Sequence, residues 1–396
     1  MTLIKLPLGF RYAGVACGIK PSGKPDLSLV VADDPVVAAG VYTQNQVVAA
    51  PVVWCRNRTP SSSIRAVVTN SGNANACTGD QGDSNAAEMC ELSAKLVGCR
   101  DDDVLVMSTG VIGQQLPMER VRSGIEKAAS KLGRQSEHFD ASADAILTTD
   151  VARKCIVENR ELDGETAAIA AMAKGAGMVA PNMATMLACI TTDVKIEPEL
   201  AAKILKRVAE ASFNRVSVDG HTSTNDTMLL LASGKSNVEI HDGNLEAFES
   251  WLSDICLKLA IELVVDGEGA SHVMHIQVDG ANDHAQATAI ARAVGESPLV
   301  KTAIAGGDPN WGRIVSAAGN ANSKVEPRFT SLQVAGTELY RAGVPTDFDV
   351  SQVSKAMRAE RVIKLKLTVG EGEGVAEHWA SDLTVDYVKF NSEYTT

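Results

Sequence analysis

Short apolar runs of strand length recur along this chain between stretches whose apolar residues return every third or fourth position, and that alternation leaves few folds open. In the first 110 residues the runs lie at 27–31, 36–42, 64–69 and 104–107, separated by Gly-, Pro- and Asn-rich turns, which is the punctuation of strands. Between them Ala86, Cys90, Ala94 and Val97 keep helical spacing and stop at Gly98. Val121, Ile125, Ala128 and Leu132 do the same after Pro117 and before Gly133. The pattern predicts a sheet covered by amphipathic helices. It resumes with a strand-like run at 186–190, a helix carrying Leu200, Ile204, Val208 and Ala211, an apolar run at 228–231, and a longer helix through Phe248, Leu252, Ile255 and Leu259. A smaller α/β unit is expected from about residue 280 to 396. There Ile363, Leu365 and Leu367 alternate with Lys364 and Lys366, and Leu383, Val385 and Tyr387 alternate with polar neighbours as a last strand. Periodicity alone gives a mixed α/β (α+β) class.

Composition removes several functions. With 396 residues, 45% hydrophobic and 22% charged, the chain can bury a large core unaided. A formal net charge of −12 disfavours nucleic acid and anionic membrane surfaces, both of which attract basic patches. The opening MTLIKLPLGFRYAGV is broken by Pro7, too short for a secretory signal or membrane span, and no later run approaches roughly 18 apolar residues. Eight cysteines without a C-x-x-C pair argue against a disulfide framework or zinc ribbon and fit reduced thiols in a cytoplasmic protein. His272 and His275 would point to opposite faces of a strand, so no shared metal is expected. Asp101–Asp103 reads as a solvated turn, and GEGEG at 370–374 as a flexible connection. Gly175 and Gly177 complete neither a P-loop nor a dinucleotide fingerprint. No metal or cofactor is expected beyond an acyl donor.

One segment carries chemistry. Residues 174–193 read KGAGMVAPNMATMLACITTD, a glycine-loosened loop running into Thr185 and then an apolar run. If the Ala184–Thr185 bond is cut, Thr185 gains a free α-amine beside its own hydroxyl, so nucleophile and general base share one residue. Such an amine titrates near neutral pH and can take the hydroxyl proton. Acyl transfer also needs donors aimed at the developing oxyanion. STGVIG at 108–113 offers the Thr109 hydroxyl and the Gly110 N–H. Taken alone, a threonine entering a strand from a loop is more often a plain strand residue.

KGAGMVAPNMATML closely resembles the self-cleaving segment of the ornithine acetyltransferase family, bifunctional glutamate N-acetyltransferase/amino-acid acetyltransferase. The likeness runs through FRYAGVACGIK at 10–20, NSGNANACTG at 70–79, STGVIG, LTTD at 147–150, SFNRVSVDGHTSTNDT at 212–227, VVDGEGA at 264–270 and GDPNWGRI at 307–314. The resemblance implies a layered αββα-type sandwich, of the kind shared with DmpA-like proteins, carrying a small C-terminal α/β subdomain. It implies a precursor that cuts itself into an α chain of residues 1–184 and a β chain of residues 185–396, associated as an α2β2 heterotetramer. The mature enzyme would move an acetyl group from N2-acetylornithine to Thr185 and then to L-glutamate, in arginine biosynthesis. Carried over by position, Thr109 and Gly110 would form the oxyanion hole, and Thr148, Lys174, Thr185, Glu268, Asn391 and Thr396 would contact substrate. Lys174 suits an α-carboxylate and Glu268 the ornithine ammonium.

By the bland reading, Lys174 and Glu268 are solvated loop charges, Thr148 is a helix cap, and Asn391 and Thr396 belong to a frayed terminus. His221, Ser271 and His272 depart from the family pattern, with effects expected at the site's edge or on its acceptor preference. Acetyl-CoA as a co-substrate stays open. The rival functions are an N-terminal-nucleophile aminopeptidase or amidase, which would pass the acyl group to water, and an uncleaved binding protein.

Overall fold

Residues 5–180 and 186–393 of the protein are described by a computed structural model, in which helices layer over two mixed sheets. The first sheet holds β1 (Phe10–Val15), β2 (Leu27–Tyr42), β3 (Ser61–Asn73), β4 (Val104–Val111), β5 (Lys154–Leu162), β6 (Glu165–Lys174), β7 (Leu187–Thr192) and, after a two-residue β8 (Val216–Ser217) that belongs elsewhere, β9 (Thr227–Ala232). Its order is β4-β3-β2-β9-β7-β6-β5, with β1 beside β2. The pairs β3/β4 and β7/β9 are parallel, while β2/β9 and β6/β7 are antiparallel.

Burial explains the continuous apolar runs. In β6, β7 and β9 successive residues alternate between two cores: Ala171, Ile190 and Leu230 face one, and Met172, Cys189 and Leu229 the other. A strand covered on both faces has no polar side to display. One face is covered by α1 (Ala50–Arg56), α2 (Gly79–Val97), α3 (Met118–Ala129) and α4 (Ser136–Ala145), the other by α5 (Pro198–Ala211) and α6 (Leu245–Val265). The expected stop of α2 at Gly98 is present, with that residue left-handed and its N–H on the Ala94 carbonyl. No helix among the described residues is long and apolar enough to cross a membrane.

The second sheet is built from β10 (Val273–Ala281), β11 (Ser331–Val334), β12 (Thr337–Arg341), β13 (Val344–Pro345), β14 (Val362–Thr368) and β15 (Gly374–Ser381), in the order β13-β12-β11-β14-β10-β15-β8. Its third core joins Met274, Ile276, Ile363, Leu365 and Leu367 to α7 (His284–Glu296), α8 (Pro298–Gly306), α9 (Trp311–Gly319) and α10 (Val350–Ala359). Lys364 and Lys366 face outward as the alternation predicts.

One expectation fails. Leu383, Val385 and Tyr387 do not lie on a strand, because Val385–Glu393 is a helix, α11. Thr384 Oγ1 accepts the Tyr387 N–H at 3.2 Å, a cap that starts a helix. β8 pairs with Trp379 and Ala380 at the end of β15, the positions a strand turning straight back from β15 would take.

Candidate active site

The carboxyl ends of β4 and β6 meet at one cavity of about 280 Å³. At the end of β4 the ladder register to β3 breaks: Gly72 pairs with Gly110, and Asn73 with both Thr109 and Val111. Gly110 has φ +134°, and a Cβ there would lie 2.3 Å from the Gly72 carbonyl carbon, so only glycine lets the two backbones approach. Thr109 is therefore presented at a distorted strand end rather than on a regular ladder. Lys174, the last residue of β6 and only 2% exposed, donates from Nζ to Thr109 Oγ1 at 3.2 Å. Because that oxygen accepts from the ammonium, the hydroxyl's own hydrogen is left to donate elsewhere. Burial pushes the Lys174 amine below its ordinary value, against the pull of Asp150.

Beneath this pair lies a buried carboxylate. Asp150 Oδ1 accepts from Lys154 Nζ at 2.7 Å and from Gly175 N at 2.8 Å, while Oδ2 accepts from Thr148 N at 2.9 Å. Lys154 also reaches Asp266 at 2.5 Å. Burial alone would raise the Asp150 carboxyl, but the charges of Lys174 and Lys154 outweigh it and hold the group well below the usual carboxylate range. Asp150 thus ties together the segments that bear Thr148 and Lys174.

The other wall is more open. Glu268 Oε1 accepts from Thr149 Oγ1 at 2.6 Å and Oε2 from Asn391 Nδ2 at 3.1 Å. A Cβ on Gly177 would sit 2.4 Å from Glu268 Oε2, so that glycine admits the carboxylate against the 175–180 loop. Asp219 accepts from Met178 N at 2.6 Å and Val179 N at 2.9 Å, and Tyr387 donates its hydroxyl to the same carboxylate at 3.2 Å. The loop leading toward Thr185 is thereby clamped before residue 181.

Thr109, Gly110, Thr148, Lys174, Glu268 and Asn391 all line this cavity. Ala184, Thr185 and Thr396 lie outside the described residues. Thr148 caps no helix, since its N–H turns back on Asp150. Of the departures from the family pattern, His221 lines the cavity, whereas Ser271 and His272 both bond Asp382 near the base of α11. His275 stacks on Trp379 at 4.6 Å, away from His272's partner. Sequence reasoning missed Asp150, Asp219, Asp226 and Tyr387. The available signal for the three acids was a carboxylate beside Thr, Asn or Gly in loops that flank apolar strands, within LTTD and SFNRVSVDGHTSTNDT.

A family profile described as the ArgJ family matches residues 11–396. The arginine biosynthesis bifunctional protein ArgJ of Rhodopirellula baltica is 56% identical over 395 residues, covering 99% of this chain and 96% of that protein. A protein with the same description from Nitratidesulfovibrio vulgaris is 44% identical over 389 residues, covering 98% of each. Among solved structures, the arginine biosynthesis bifunctional protein argJ from Bacillus halodurans is similar with 32% identity and a TM-score of 0.50, covering 52% of this chain and 97% of that one.

Proposed function

The chain belongs to the ArgJ family, the ornithine acetyltransferases of arginine biosynthesis, and from that premise we propose how its cavity moves an acetyl group. The precursor cuts between Ala184 and Thr185, giving chains 1–184 and 185–396. The Thr185 hydroxyl attacks the acetyl carbonyl of N2-acetylornithine while its α-amine takes the hydroxyl proton. The oxyanion that forms is met by the Thr109 hydroxyl and the Gly110 N–H, the former aimed by Lys174. As the C–N bond breaks, the proton passes from the α-amine to the departing ornithine amine and an acetyl ester remains on Thr185. The glutamate amine then attacks the ester carbonyl, the C–O bond breaks, and Thr185 recovers its proton as N-acetylglutamate leaves.

Six candidates from five separate segments line one cavity, and that convergence is the observation which carries this reading. Glu268 offers a negative charge for the ornithine ammonium, and Lys174 keeps hydrogens for a substrate carboxylate. Thr148, Asn391 and Thr396 complete the substrate contacts. Association of the two chains after the cut is supported by the sheet order, because β9 and β7 from one side of the cut are inserted between β2 and β6 from the other. Separation would break two full strand ladders. The Bacillus halodurans chain is matched almost throughout by about half of this one, which is the coverage that one part of a cut chain would give. Pairing of two such units into an α2β2 assembly, and a cytoplasmic location suited to eight free cysteines, belong to this reading. So does acetyl-CoA as a second donor, which fits the bifunctional description of the relatives.

The test is acetyl-labelled N2-acetylornithine with glutamate. Label on N-acetylglutamate supports the reading, while label in free acetate supports a hydrolase. Thr185→Ala is expected to stay one chain and inert, and Thr185→Ser to retain part of both cutting and transfer. Active protein that runs as a single chain of 396 residues would overturn the reading.

A further inference from the structure

Asp226 is fully buried and plays no part in the mechanism above. Its Oδ1 accepts the Met186 N–H at 3.1 Å, one residue after Thr185, and its Oδ2 has no hydrogen-bond partner among the described residues. The neighbouring Thr227 N–H donates to the Met186 carbonyl at 3.1 Å, so both backbone groups of Met186 are held from the start of β9. The preceding residue holds a different segment. Asn225 Nδ2 donates to the Ser108 carbonyl at 2.9 Å, one residue before Thr109, and to the Ala74 carbonyl at 2.6 Å. Thr224 in turn fixes the Asn225 amide by donating to its Oδ1 at 2.6 Å.

We propose that Asn225 and Asp226 are positioning residues that act as one two-jawed clamp. Asn225 grips the strand end carrying the oxyanion donor Thr109, and Asp226 grips the segment that follows Thr185. Two adjacent residues at the entry to β9 therefore set the separation of nucleophile and oxyanion hole. The inference rests on the reading that Thr185 is the nucleophile. The geometry matters because acyl transfer needs the attacking oxygen near van der Waals contact with the carbonyl and the donors in hydrogen-bond range at the same moment. Both jaws are buried among the β4, β7 and β9 ends, where water cannot replace a lost bond. Burial also pushes the Asp226 carboxyl well above its ordinary value. An amide of the same shape keeps a carbonyl oxygen to accept the Met186 N–H and should serve nearly as well.

The experiment compares Asp226→Ala and Asp226→Asn for the rate of precursor cutting on denaturing gels, for kcat and KM of the cut fraction, and for thermal midpoint. Asp226→Ala is expected to slow cutting and kcat roughly 100-fold with KM changed only a few-fold, the cost of a displacement of about 1 Å. Asp226→Asn is expected to stay within a few-fold of the unsubstituted enzyme. If Asp226→Ala does not accumulate, Asn225→Asp tests the other jaw, since it keeps the size but loses at least one of the two donated bonds; kcat should again fall with KM nearly unchanged. A merely structural role would lower the thermal midpoint while leaving kcat of the cut fraction intact, and that result overturns the clamp. So does Asp226→Asn as slow as Asp226→Ala. Failure of the Thr185 reading is distinguishable, because it appears in the unsubstituted protein as an active single chain.

Discussion

Thr109, Gly110 and Lys174 stand at strand ends of a sheet covered on both faces, whereas Glu268, Tyr387 and Asn391 reach the same cavity from a loop and from α11, a helix with no buried residue. The first group is held by ladders and by the buried Asp150 network; the second is held by a few side-chain bonds at half-exposed or exposed positions. Reaction rate depends on donors fixed to a fraction of an ångström, and substrate choice depends on charge and shape at the entrance. The floor is therefore the part expected to govern kcat, and the open wall the part expected to govern KM.

Thr109→Val gives the sharpest break of that division. It removes one oxyanion donor and leaves the Lys174 ammonium without its acceptor, so kcat should fall roughly 100- to 1,000-fold with KM little changed. Steady-state kinetics with N2-acetylornithine and glutamate measure it. A loss confined to KM would mean that the floor binds substrate rather than the transition state.

Asp150→Asn should come next, and in stability first. Removing one partner of a buried ion pair costs about 3 kcal/mol, read by urea unfolding at neutral pH. Because the folded carboxyl is held below its unfolded value, its contribution is complete above about pH 4 and is lost as pH falls through that value toward the lower folded one. The stability gap between wild type and variant should thus be flat from pH 8 to about 5 and narrow on further acidification. A gap that widens toward acid would contradict the assigned charge.

The same contrast decides what could be read from residues alone. In the first sheet β2, β3, β4, β7 and β9 were legible as short apolar runs, which burial on both faces requires of β7 and β9, and α2 and α5 carry a stripe that their burial requires; β1, β5 and β6 carried no run that was read as a strand. The alternation at Ile363, Leu365 and Leu367 was legible for the same reason on one face. Helix α11 was not, because none of its residues is buried and the spacing of Val385 and Tyr387 reflects no core. At the site, Thr109, Gly110, Thr148, Lys174, Glu268 and Asn391 were reached through motif likeness and the chemistry of acyl transfer, whereas Asp219 and Tyr387, which line the same cavity, were not. Asp150 and Asp226 were not, since their roles exist only once the 146–153 turn meets the end of β6 and the start of β9 meets Met186. Contacts between segments so far apart leave no local periodicity.

Glu268→Gln sharpens the comparison from the open wall. The substitution keeps shape and removes charge, so the side-chain ammonium of the ornithine donor should lose its partner, while glutamate, which has no side-chain ammonium, should be unaffected. KM for N2-acetylornithine is expected to rise roughly tenfold, the scale of one charge-assisted bond at a half-exposed site, with KM for glutamate unchanged. Equal effects on both substrates would assign Glu268 to the architecture of the wall instead.

Asn391→Ala is the smallest expected change and the most direct probe of α11. Asn391 is exposed and its amide donates to Glu268 Oε2 at 3.1 Å and to the Tyr387 carbonyl at 3.2 Å. Losing the first bond frees the Glu268 carboxylate to turn, but Thr149 still holds the other oxygen. A solvated hydrogen bond of this kind is worth about 1 kcal/mol or less, so KM for N2-acetylornithine should rise only a few-fold, with kcat and precursor cutting unaffected. Deleting residues 391–396 should raise KM further while still leaving cutting intact, because the cut depends on the floor and on the strand ends beneath it. A truncated protein that no longer cuts would place α11 in the precursor reaction and erase the division between the two walls.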